Sequence, residues 1–492
     1  MHSLTHPIPR ARSLRAVVAG LTLAALAFAS QAVAAGAGSL DTSFGADGGK
    51  DSTPDGVVGL SLGAGSELAQ AVAVQKDGRI VFVGSSTSTG KTSNIVIARL
   101  NRNGSVDKSF GADGDKDGTP DGVVSLDLGE SSDEARAVAI QADGKIVIAG
   151  NSKAQSSNLV VVRLNTNGSL DKSFGADSGK DGTPDGVASV SLGDGDDVVN
   201  DMAIDKNGRI VLVGSSTSTG KTSNIVIARL NRNGSVDKSF GADGDKDGTP
   251  DGVVSLDLGE SSDEARAVAI QADGKIVIAG RSKAKSSNLV VARLHANGSL
   301  DARFGADRGK DGTPDGVVSV SLGDGDEVVN DVAIDKNGFI VLVGSTSSNG
   351  KTSNIVVARL SRTGSLDKTF GADGGKDATP DGVVSLDLGE SSDEARAVAI
   401  QADGKIVIAG NSKAQSSNLI VVRLNTNGSL DKRFGVDSGK DGTPDGVSQI
   451  SLGDGDDVAK GLVLQADGRI LVVGDRVNGG SSDAFVARLL GQ

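Results

Sequence analysis

The sequence predicts an all-β fold, a seven-bladed β-propeller with four antiparallel strands per blade. Three observations predict it. One unit of 64 to 66 residues recurs seven times, each unit carries four segments of strand length, and helical periodicity is absent after the first 34 residues. Repeated four-stranded units of this kind close into propellers. A β-helix is the alternative, but the unit is far too long for one of its coils.

Each unit opens with the tetrad Gly-Ser-(Leu/Val)-Asp. The seven tetrads begin at Gly38, Gly104, Gly168, Gly234, Gly298, Gly364 and Gly428. The spacing alternates between 66 and 64 residues, so a pair of units was itself copied. Residues 83–150 and 213–280 are identical, which makes sameness between units weak evidence of selection. We assign residues 35–492 to a single propeller domain.

Four strands are predicted within each unit, and the second unit illustrates them. The first covers 122–128 and alternates apolar with polar residues. The second and third cover 135–141 and 145–150 and are almost wholly apolar, and the fourth covers 159–164. Alternating strands have one face in water, whereas continuous apolar strands are buried on both faces. We therefore expect the small-residue second strand to be innermost and the alternating strand to be outermost.

A tight turn is predicted between the second and third strands of each unit. Every unit has Asp-Gly or Asn-Gly there, such as Asp143-Gly144. This dipeptide is typical of a type I′ hairpin, because both central residues of that turn need positive φ.

The order of strand types also predicts how the ring closes. The chain has an outer-type strand at 57–62 before any inner strand, and no outer strand follows the last inner ones. We therefore expect the N-terminal strand to complete the C-terminal blade, which removes the open sheet edges.

Residues 1–34 have the pattern of a secretory signal peptide. Arg10, Arg12 and Arg15 precede an apolar run at 16–29, and small residues lead to a cleavage site near Ala34. The run is too short to span a bilayer. We therefore expect an exported protein, periplasmic or extracellular, with no membrane span.

The repeat unit resembles a known family. It reads G-S-L-D-x-x-F-G, then A-V-A-(I/V)-Q-x-D-G-(K/R)-I-V-x-x-G, then N-(L/I)-V-V-x-R-L-N-x-(D/N)-G-S-L-D. This resembles the delta-60 repeat of bacterial exported proteins over residues 38–492. The resemblance implies a propeller-like β fold and carries no established activity. The sequence departs from the usual pattern by inserting K-D-G-T-P-D-G after the F-G-x-D segment.

The composition narrows the classes of function. The chain has no Cys, Trp or Tyr, three His and a net charge of −13. Thiolate chemistry and Cys-based metal sites are excluded, and the charge argues against a nucleic-acid partner. No aromatic platform for a sugar ring exists. These observations predict a non-enzymatic, monomeric binding or structural scaffold whose partner is an unknown protein or surface ligand.

The insert is the candidate metal site. In the second and fourth units, acids occupy positions 1, 3, 5 and 9 of a calcium-type loop, with Gly at position 6. The candidate calcium ligands are Asp113, Asp115, Asp117, Asp121, Asp243, Asp245, Asp247 and Asp251. Position 12 is Val in both loops, and in the other five units position 3 is Gly. The alternative is a solvated turn built around the Pro of the insert.

A second candidate site is an acid just before each inner strand. These acids are Glu67, Asp133, Asp197, Asp263, Glu327, Asp393 and Asp457. We expect them to ring one mouth of the central channel, where a cation or basic ligand would bind. The alternative is that each acid bonds backbone N–H groups or a nearby Arg. Two alternative functions follow from these sites, an exported hydrolase that uses the channel-mouth carboxylates and a calcium-dependent surface adhesin.

One arginine recurs inside the fourth strand of each unit. These are Arg99, Arg163, Arg229, Arg293, Arg359, Arg423 and Arg488. We expect each to form an ion pair that stabilises its blade, with Asp41 and its equivalents as partners.

Overall fold

The computed structural model describes residues 36–45, 55–60, 65–87, 92–112, 121–129, 132–153, 157–175, 185–190, 195–217, 222–242, 251–258, 262–283, 287–305, 315–320, 326–348, 352–371, 381–388, 392–413, 417–435, 445–453, 455–478 and 480–492. Its strands are β1 (Val57–Leu60), β2 (Ser66–Val74), β3 (Ile80–Thr87), β4 (Ser93–Leu100), β5 (Val123–Leu126), β6 (Ser132–Ile140), β7 (Ile146–Lys153), β8 (Ser157–Leu164), β9 (Val187–Val190), β10 (Asp197–Ile204), β11 (Ile210–Ser216), β12 (Asn224–Leu230), β13 (Val253–Leu256), β14 (Ser262–Ile270), β15 (Ile276–Lys283), β16 (Ser287–Leu294), β17 (Val317–Val320), β18 (Asp326–Ile334), β19 (Ile340–Ser348), β20 (Thr352–Leu360), β21 (Val383–Leu386), β22 (Ser392–Ile400), β23 (Ile406–Lys413), β24 (Ser417–Leu424), β25 (Val447–Ile450), β26 (Asp457–Leu464), β27 (Ile470–Asn478) and β28 (Ser481–Leu489).

These strands form seven four-stranded antiparallel sheets, which confirms the predicted propeller. Blades 1 to 6 are β2–β5, β6–β9, β10–β13, β14–β17, β18–β21 and β22–β25, and blade 7 combines β26, β27 and β28 with β1. The first strands of neighbouring blades, such as β2 and β6, contact each other around the ring. The small-residue strand is therefore innermost and the short alternating strand is outermost, as the sequence predicts.

The ring closes through the N-terminal strand, as expected. Val57 of β1 lies opposite Ala487 of β28, and Leu60 lies opposite Ala484. The preceding segment adds two backbone hydrogen bonds, from Gly38 N to Leu490 O at 2.7 Å and from Asp41 N to Arg488 O at 2.8 Å. In blade 7 the inner three strands and the outer strand thus come from opposite ends of the chain.

The core lies between neighbouring blades. Its clusters join aliphatic side chains of the second and third strands of two blades, and each contains the phenylalanine of the F-G motif at 0% exposure. The inner strands differ from the prediction of burial on both faces. In β2, for example, buried and partly buried residues alternate. This strand is the innermost of its sheet, and no further strand pairs with its inner edge. Its side chains are therefore covered less completely than those of the strands inside the sheet.

The hairpin turns also differ from the type I′ prediction. The carbonyl of Gln141 accepts from Gly144 N at 2.8 Å, and Gln141 N donates to Lys145 O at 2.9 Å. Only Gly144, with φ of 84°, is needed in the left-handed region at the end of this longer loop. Asp143 favours it because its Oδ1 accepts from Lys145 N at 3.2 Å.

Each inner strand carries a β-bulge at the same place. In β2 the pairing with β3 shifts register between Ala69 and Ala71, which leaves Gln70 as the extra residue. Gly84 of β3 lies opposite, and a Cβ added to it would lie 1.7 Å from the carbonyl oxygen of Leu68. The glycine of the I-V-x-x-G motif is therefore required by close backbone approach, and the bulge re-aims the residues that follow it.

Candidate functional site

Each repeat arginine lies in a cluster that we call the clasp, and the arginine is buried in every blade except blade 5, where Arg359 is partly buried. In blade 1, Arg99 is 3% exposed and its Nε donates to Asp107 Oδ2 at 2.7 Å. Its guanidinium carbon lies 4.4 Å from the centre of the Phe110 ring. Its Nη1 donates to the carbonyl of Thr166 in the next unit. The clasp therefore joins two neighbouring blades as well as stabilising one.

The same ion pair occurs in every blade and confirms the predicted role of the arginines. The pairs are Arg99–Asp107, Arg163–Asp171, Arg229–Asp237, Arg293–Asp301, Arg359–Asp367, Arg423–Asp431 and Arg488–Asp41. Asp41 lies at the N-terminal end of the described propeller and Arg488 near its C-terminal end, so one of the seven pairs also fastens the closure.

A second cation, from the hairpin turn, lies against most clasp aspartates. Arg79 Nε lies 3.0 Å from Asp107 Oδ2. Burial alone raises the pKa of Asp107, but hydrogen bonds from Ser109 and the charges of Arg99 and Arg79 outweigh it, and the net pKa is below its usual value. The clasp aspartates are therefore charged at neutral pH.

Blade 5 replaces this second cation with Phe339. The ring of Phe339 lies 5.1 Å from the guanidinium carbon of Arg359, and the ring of Phe370 lies 4.5 Å from it. A cation between two aromatic rings is favourable. The substitution at this turn therefore exchanges an ion pair for a second ring contact and leaves the clasp intact.

The predicted calcium loops leave the propeller at the clasp. In every blade a backbone hydrogen bond closes the insert, such as Gly122 N to Phe110 O at 2.9 Å. In the second and fourth units, Asp121 N and Asp251 N also donate to the carbonyls of Ala112 and Ala242, both at 3.0 Å. Asp121 and Asp251 are partly buried.

The remaining candidate ligands fall outside the described residues. They are Asp113, Asp115, Asp117, Asp243, Asp245 and Asp247. Within the described ranges, no group of three or more His, Cys, Asp or Glu side chains is arranged to hold a metal ion.

The seven acids expected at the channel mouth are buried side chains at or near the start of the innermost strands. Glu67, Asp133, Asp197, Asp263, Glu327, Asp393 and Asp457 are all 3% exposed or less. Four of them accept backbone N–H groups from the end of the preceding outer strand. These bonds are Leu128 to Asp133 at 2.8 Å, Leu258 to Asp263 at 2.8 Å, Leu388 to Asp393 at 2.8 Å and Leu452 to Asp457 at 2.6 Å. They lie inside the wall, because the start of each inner strand packs against the chain that enters it. Burial raises the pKa of Asp457 to about 6, although the N–H of Leu452 and the charge of Arg476 oppose the shift.

The bulge residues of the innermost strands lie three positions further along. These are Gln70, Arg136, Asn200, Arg266, Asn330, Arg396 and Lys460, all partly buried. The arginines of blades 2, 4 and 6 pair with a glutamate two residues earlier. The pairs are Arg136–Glu134 at 2.7 Å, Arg266–Glu264 at 3.3 Å and Arg396–Glu394 at 2.8 Å. In blade 3, Asn200 Nδ2 crosses to blade 4, donating to Glu264 Oε1 at 3.2 Å and to Ala265 O at 2.8 Å.

Two aspartates next to the bulge residues were not among the predicted site residues. Asp201 and Asp331 follow the bulge in blades 3 and 5, where the other blades have Ala or Gly. Each accepts an N–H from the inner strand of the next blade, Val268 N to Asp201 Oδ2 and Val398 N to Asp331 Oδ2, both at 2.8 Å. Burial raises the pKa of Asp201 to about 6. Burial and the negative charge of Asp201 raise that of Asp331 to about 7. The two carboxylates are therefore within electrostatic reach of each other, and the Asn-Asp dipeptide that replaces Arg-Ala in these units was the signal.

Blade 7 departs from the repeat at the same level of the channel. Lys460 Nζ lies 3.8 Å from Asp475 Oδ2. Asp475 Oδ1 accepts from Ala69 N of blade 1 at 2.7 Å, so it also holds the closing interface. Burial raises the pKa of Asp475 to about 6, while the charges of Lys460 and Arg396 and the N–H of Ala69 lower it.

The seven sheets, the closure and the seven clasps define a β-propeller repeat protein. Seven segments match the model of a family described as a domain of unknown function (DUF5122) beta-propeller, and each ends at or beside a clasp. They cover residues 75–110, 141–174, 206–240, 271–304, 336–370, 401–434 and 465–491. The match supports the repeat architecture, and the delta-60 name stays a resemblance. No curated protein matches the chain.

Several solved structures are similar in fold. One is a catalytically inactive virginiamycin B lyase from Staphylococcus aureus with quinupristin, at 8% identity, covering 88% of this chain and 98% of that chain with a TM-score of 0.46. Another is a polysaccharide lyase, ulvan lyase, at 11% identity, covering 87% and 94% with a TM-score of 0.44. A third is Drosophila Semaphorin 2a, at 9% identity, covering 87% and 74% with a TM-score of 0.45.

These similarities correct one prediction. Two of the similar structures are lyases, so the propeller fold accommodates enzymes, and the predicted absence of enzymatic activity does not follow from this fold. The physical reason is that a composition without Cys, Tyr or Trp still leaves carboxylates, guanidinium groups and amines, and the structure gathers these around the channel.

Within the described parts of the chain, no helix has the length and hydropathy to cross a membrane.

Proposed function

We propose that this protein is an exported, monomeric β-propeller that binds calcium with its Asp-rich inserts and presents the face that carries them to a protein or surface ligand. The observation that carries the proposal is the closure of all seven inserts onto the clasps by the same backbone hydrogen bond, as from Gly122 N to Phe110 O.

The inserts leave the same end of every blade. Each begins after the third strand of a blade has ended and finishes where the outer strand begins, as between β4 and β5. The end of each third strand is also tied to the next blade, because the glycine after each clasp phenylalanine donates to a backbone carbonyl of that next blade. Gly111 N to Asn167 O, at 3.0 Å, is one of seven such bonds. A hydrogen-bonded ring therefore supports the bases of the inserts, which suits a multivalent binding face.

The chemistry of the second and fourth inserts suits calcium. Hard cations prefer several carboxylate oxygens from one loop with a glycine at its turn. Four carboxylates within one loop repel each other at roughly 1–4 kcal/mol per close pair, and a divalent cation relieves that repulsion. The partly buried Asp121 and Asp251 lie at the hydrogen-bonded bases of these inserts and would anchor the ion to the propeller.

Calorimetry on chelator-treated protein tests the proposal, and the chain provides a matched control. The double variant Asp115→Gly, Asp245→Gly gives the second and fourth inserts the glycine found at that position in the other five units. We expect saturable heat with calcium for the wild type and a marked loss of it for the variant. Calcium at 100 times the dissociation constant should also raise the free energy of unfolding by about 2.7 kcal/mol for each occupied site. Absence of both heat and thermal shift in the wild type would refute calcium binding.

Export and surface association need separate measurements. N-terminal sequencing of the secreted product should begin close to residue 35 if residues 1–34 are a cleaved signal peptide. Release of the protein from intact cells by a chelator would support the adhesin form of the proposal. A product that retains residues 1–34 in the cell fraction would contradict export.

A second candidate function is hydrolysis in the channel, with Asp201 and Asp331 in place of the acids first expected there. The observation in its favour is that Asp201 and Asp331, with pKa values of about 6 and about 7, occupy equivalent positions after the bulge of two innermost strands, and the charge of Asp201 contributes to the raised pKa of Asp331. Such a pair suits general acid and base roles. Turnover of chromogenic glycosides or esters should then be lost in Asp201→Asn and Asp331→Asn and be unchanged by the insert variant. No turnover in the wild type, or equal turnover in all variants, would eliminate this candidate.

A further inference from the structure

Blade 7 departs from the repeat at two neighbouring positions of its inner strands. Lys460 occupies the bulge position at which the other blades have Gln, Asn or Arg, and Asp475 follows the glycine opposite the bulge. No other blade has a lysine at the bulge position. The lysine side chain is 24% exposed, so it is mostly packed against the protein and partly open to solvent.

The surroundings of Lys460 disfavour its charged form. Burial lowers the pKa of this amine, Asp475 and Glu394 oppose the shift, and the positive charges of Arg396 and Arg136 add to it, so that the net pKa is below its usual value. Arg396 belongs to blade 6 and Arg136 to blade 2, so the cations approach Lys460 from both sides of the ring. A lysine that is partly desolvated and next to other cations is an activated amine nucleophile.

We propose that Lys460 is a reactive amine that condenses with small carbonyl compounds carrying a negatively charged group. The neutral amine of Lys460 attacks the carbonyl carbon and forms a carbinolamine. Loss of the hydroxyl as water then leaves an imine, so one carbonyl and one amine give one imine and one water, with no oxidation or reduction.

The neighbouring side chains have defined parts in this step. Asp475 is 5% exposed and lies 3.8 Å from Nζ, close enough to pass a proton to the departing hydroxyl directly or through one water. Its other oxygen is fixed by Ala69 N at 2.7 Å, which holds the carboxyl in place. The guanidinium groups of Arg396 and Arg136 supply positive charge for the anionic group of the carbonyl compound, which selects against neutral aldehydes.

Reductive trapping measures this reactivity directly. The purified protein is treated with glyoxylate and cyanoborohydride at neutral pH, and the fraction of each lysine converted is read by peptide mass spectrometry. Exposed Lys108 and Lys336 serve as internal references. Because the pKa of Lys460 lies below its usual value, a larger fraction of its amine is neutral at a given pH, and Lys460 should be modified several-fold faster than the references. Modification of Lys460 no faster than Lys108 and Lys336 would overturn the proposal.

Variants and a second probe separate the parts of the proposal. Asp475→Asn keeps an oxygen that can accept from Ala69 N, so the protein should fold, while the trapping rate at Lys460 should fall several-fold. Propionaldehyde, which lacks the negative group, should lose the preference for Lys460 over Lys336. An unchanged rate in Asp475→Asn would overturn the role of the carboxyl, and equal preference for the two probes would overturn the selection for anions.

Discussion

The clasp makes a quantitative prediction for Arg99→Met. The substitution removes a buried guanidinium that pairs with Asp107 at 2.7 Å, stacks on Phe110 and donates to the carbonyl of Thr166. Removing one partner of a buried ion pair costs about 3–5 kcal/mol, because the other charge is left in the interior. Arg79 Nε remains 3.0 Å from Asp107 Oδ2, and its positive charge offsets part of this cost. We therefore expect a loss of about 3 kcal/mol in the free energy of unfolding.

Arg79→Met is the matched control. It removes the outer cation from the same carboxylate, but the Arg79 side chain is 40% exposed. Solvent screens such a pair, so its removal should cost only about 0.5 kcal/mol. Both variants are compared by urea unfolding followed by far-UV circular dichroism. A loss below about 1 kcal/mol for Arg99→Met, or equal losses for the two variants, would refute the account of the clasp.

Three further predictions concern pH, the bulge and the closure. The clasp aspartates have lowered pKa values, so the stability they contribute is present above their unfolded pKa of about 3.8 and is lost as the pH falls further. Asp201 and Asp331 have pKa values raised to about 6 and about 7, so the stability linked to their protonated forms is present at low pH and lost as the pH rises through these values. Thermal melts should therefore show maximal stability near pH 4–5, by about these bounds, and Asp201→Asn with Asp331→Asn should flatten the decline towards pH 7. Gly84→Ala places a Cβ 1.7 Å from the carbonyl oxygen of Leu68 and should prevent stable folding of blade 1, seen as insoluble expression or a large drop in melting temperature. Removing residues 36–60 exposes the edge of β28 and should cause self-association in size-exclusion chromatography with light scattering.

Each of these has an outcome that contradicts it. A melting temperature that is constant from pH 4 to 7 would contradict the raised carboxyl pKa values. Soluble Gly84→Ala with an unchanged melting temperature would contradict the close backbone approach at the bulge. A monomeric, stable product without residues 36–60 would show that β1 is not needed to close the ring.

The architecture was predictable because it depends on signals that recur in the sequence. The seven tetrads fixed the number of blades, and the small-residue and alternating segments identified the inner and outer strands. The closure followed from counting strand types at the two ends, and β1 indeed pairs with β28. The clasp was predictable as an ion pair because one Arg and one Asp recur in each unit. Its stacking on Phe110 was not, because it depends on three-dimensional placement.

The candidate site was predicted less well, and the bulge is the reason. A bulge inserts one residue and changes which side chains of a strand face the same way. Spacing alone placed Asp133 and its equivalents at the channel mouth, whereas the structure buries them and leaves Arg136, at the bulge, only partly buried. Sequence distance also concealed the asymmetry of the channel. Asp201, Asp331 and Lys460 are far apart in the chain and come to one ring only when the propeller closes.

Calcium titration of the wild-type protein beside the Asp115→Gly, Asp245→Gly variant tests the proposed function most directly. We expect saturable heat and a higher melting temperature for the wild type, with both effects strongly reduced in the variant. A wild-type protein that shows neither effect, or a variant that binds calcium as the wild type does, would contradict it.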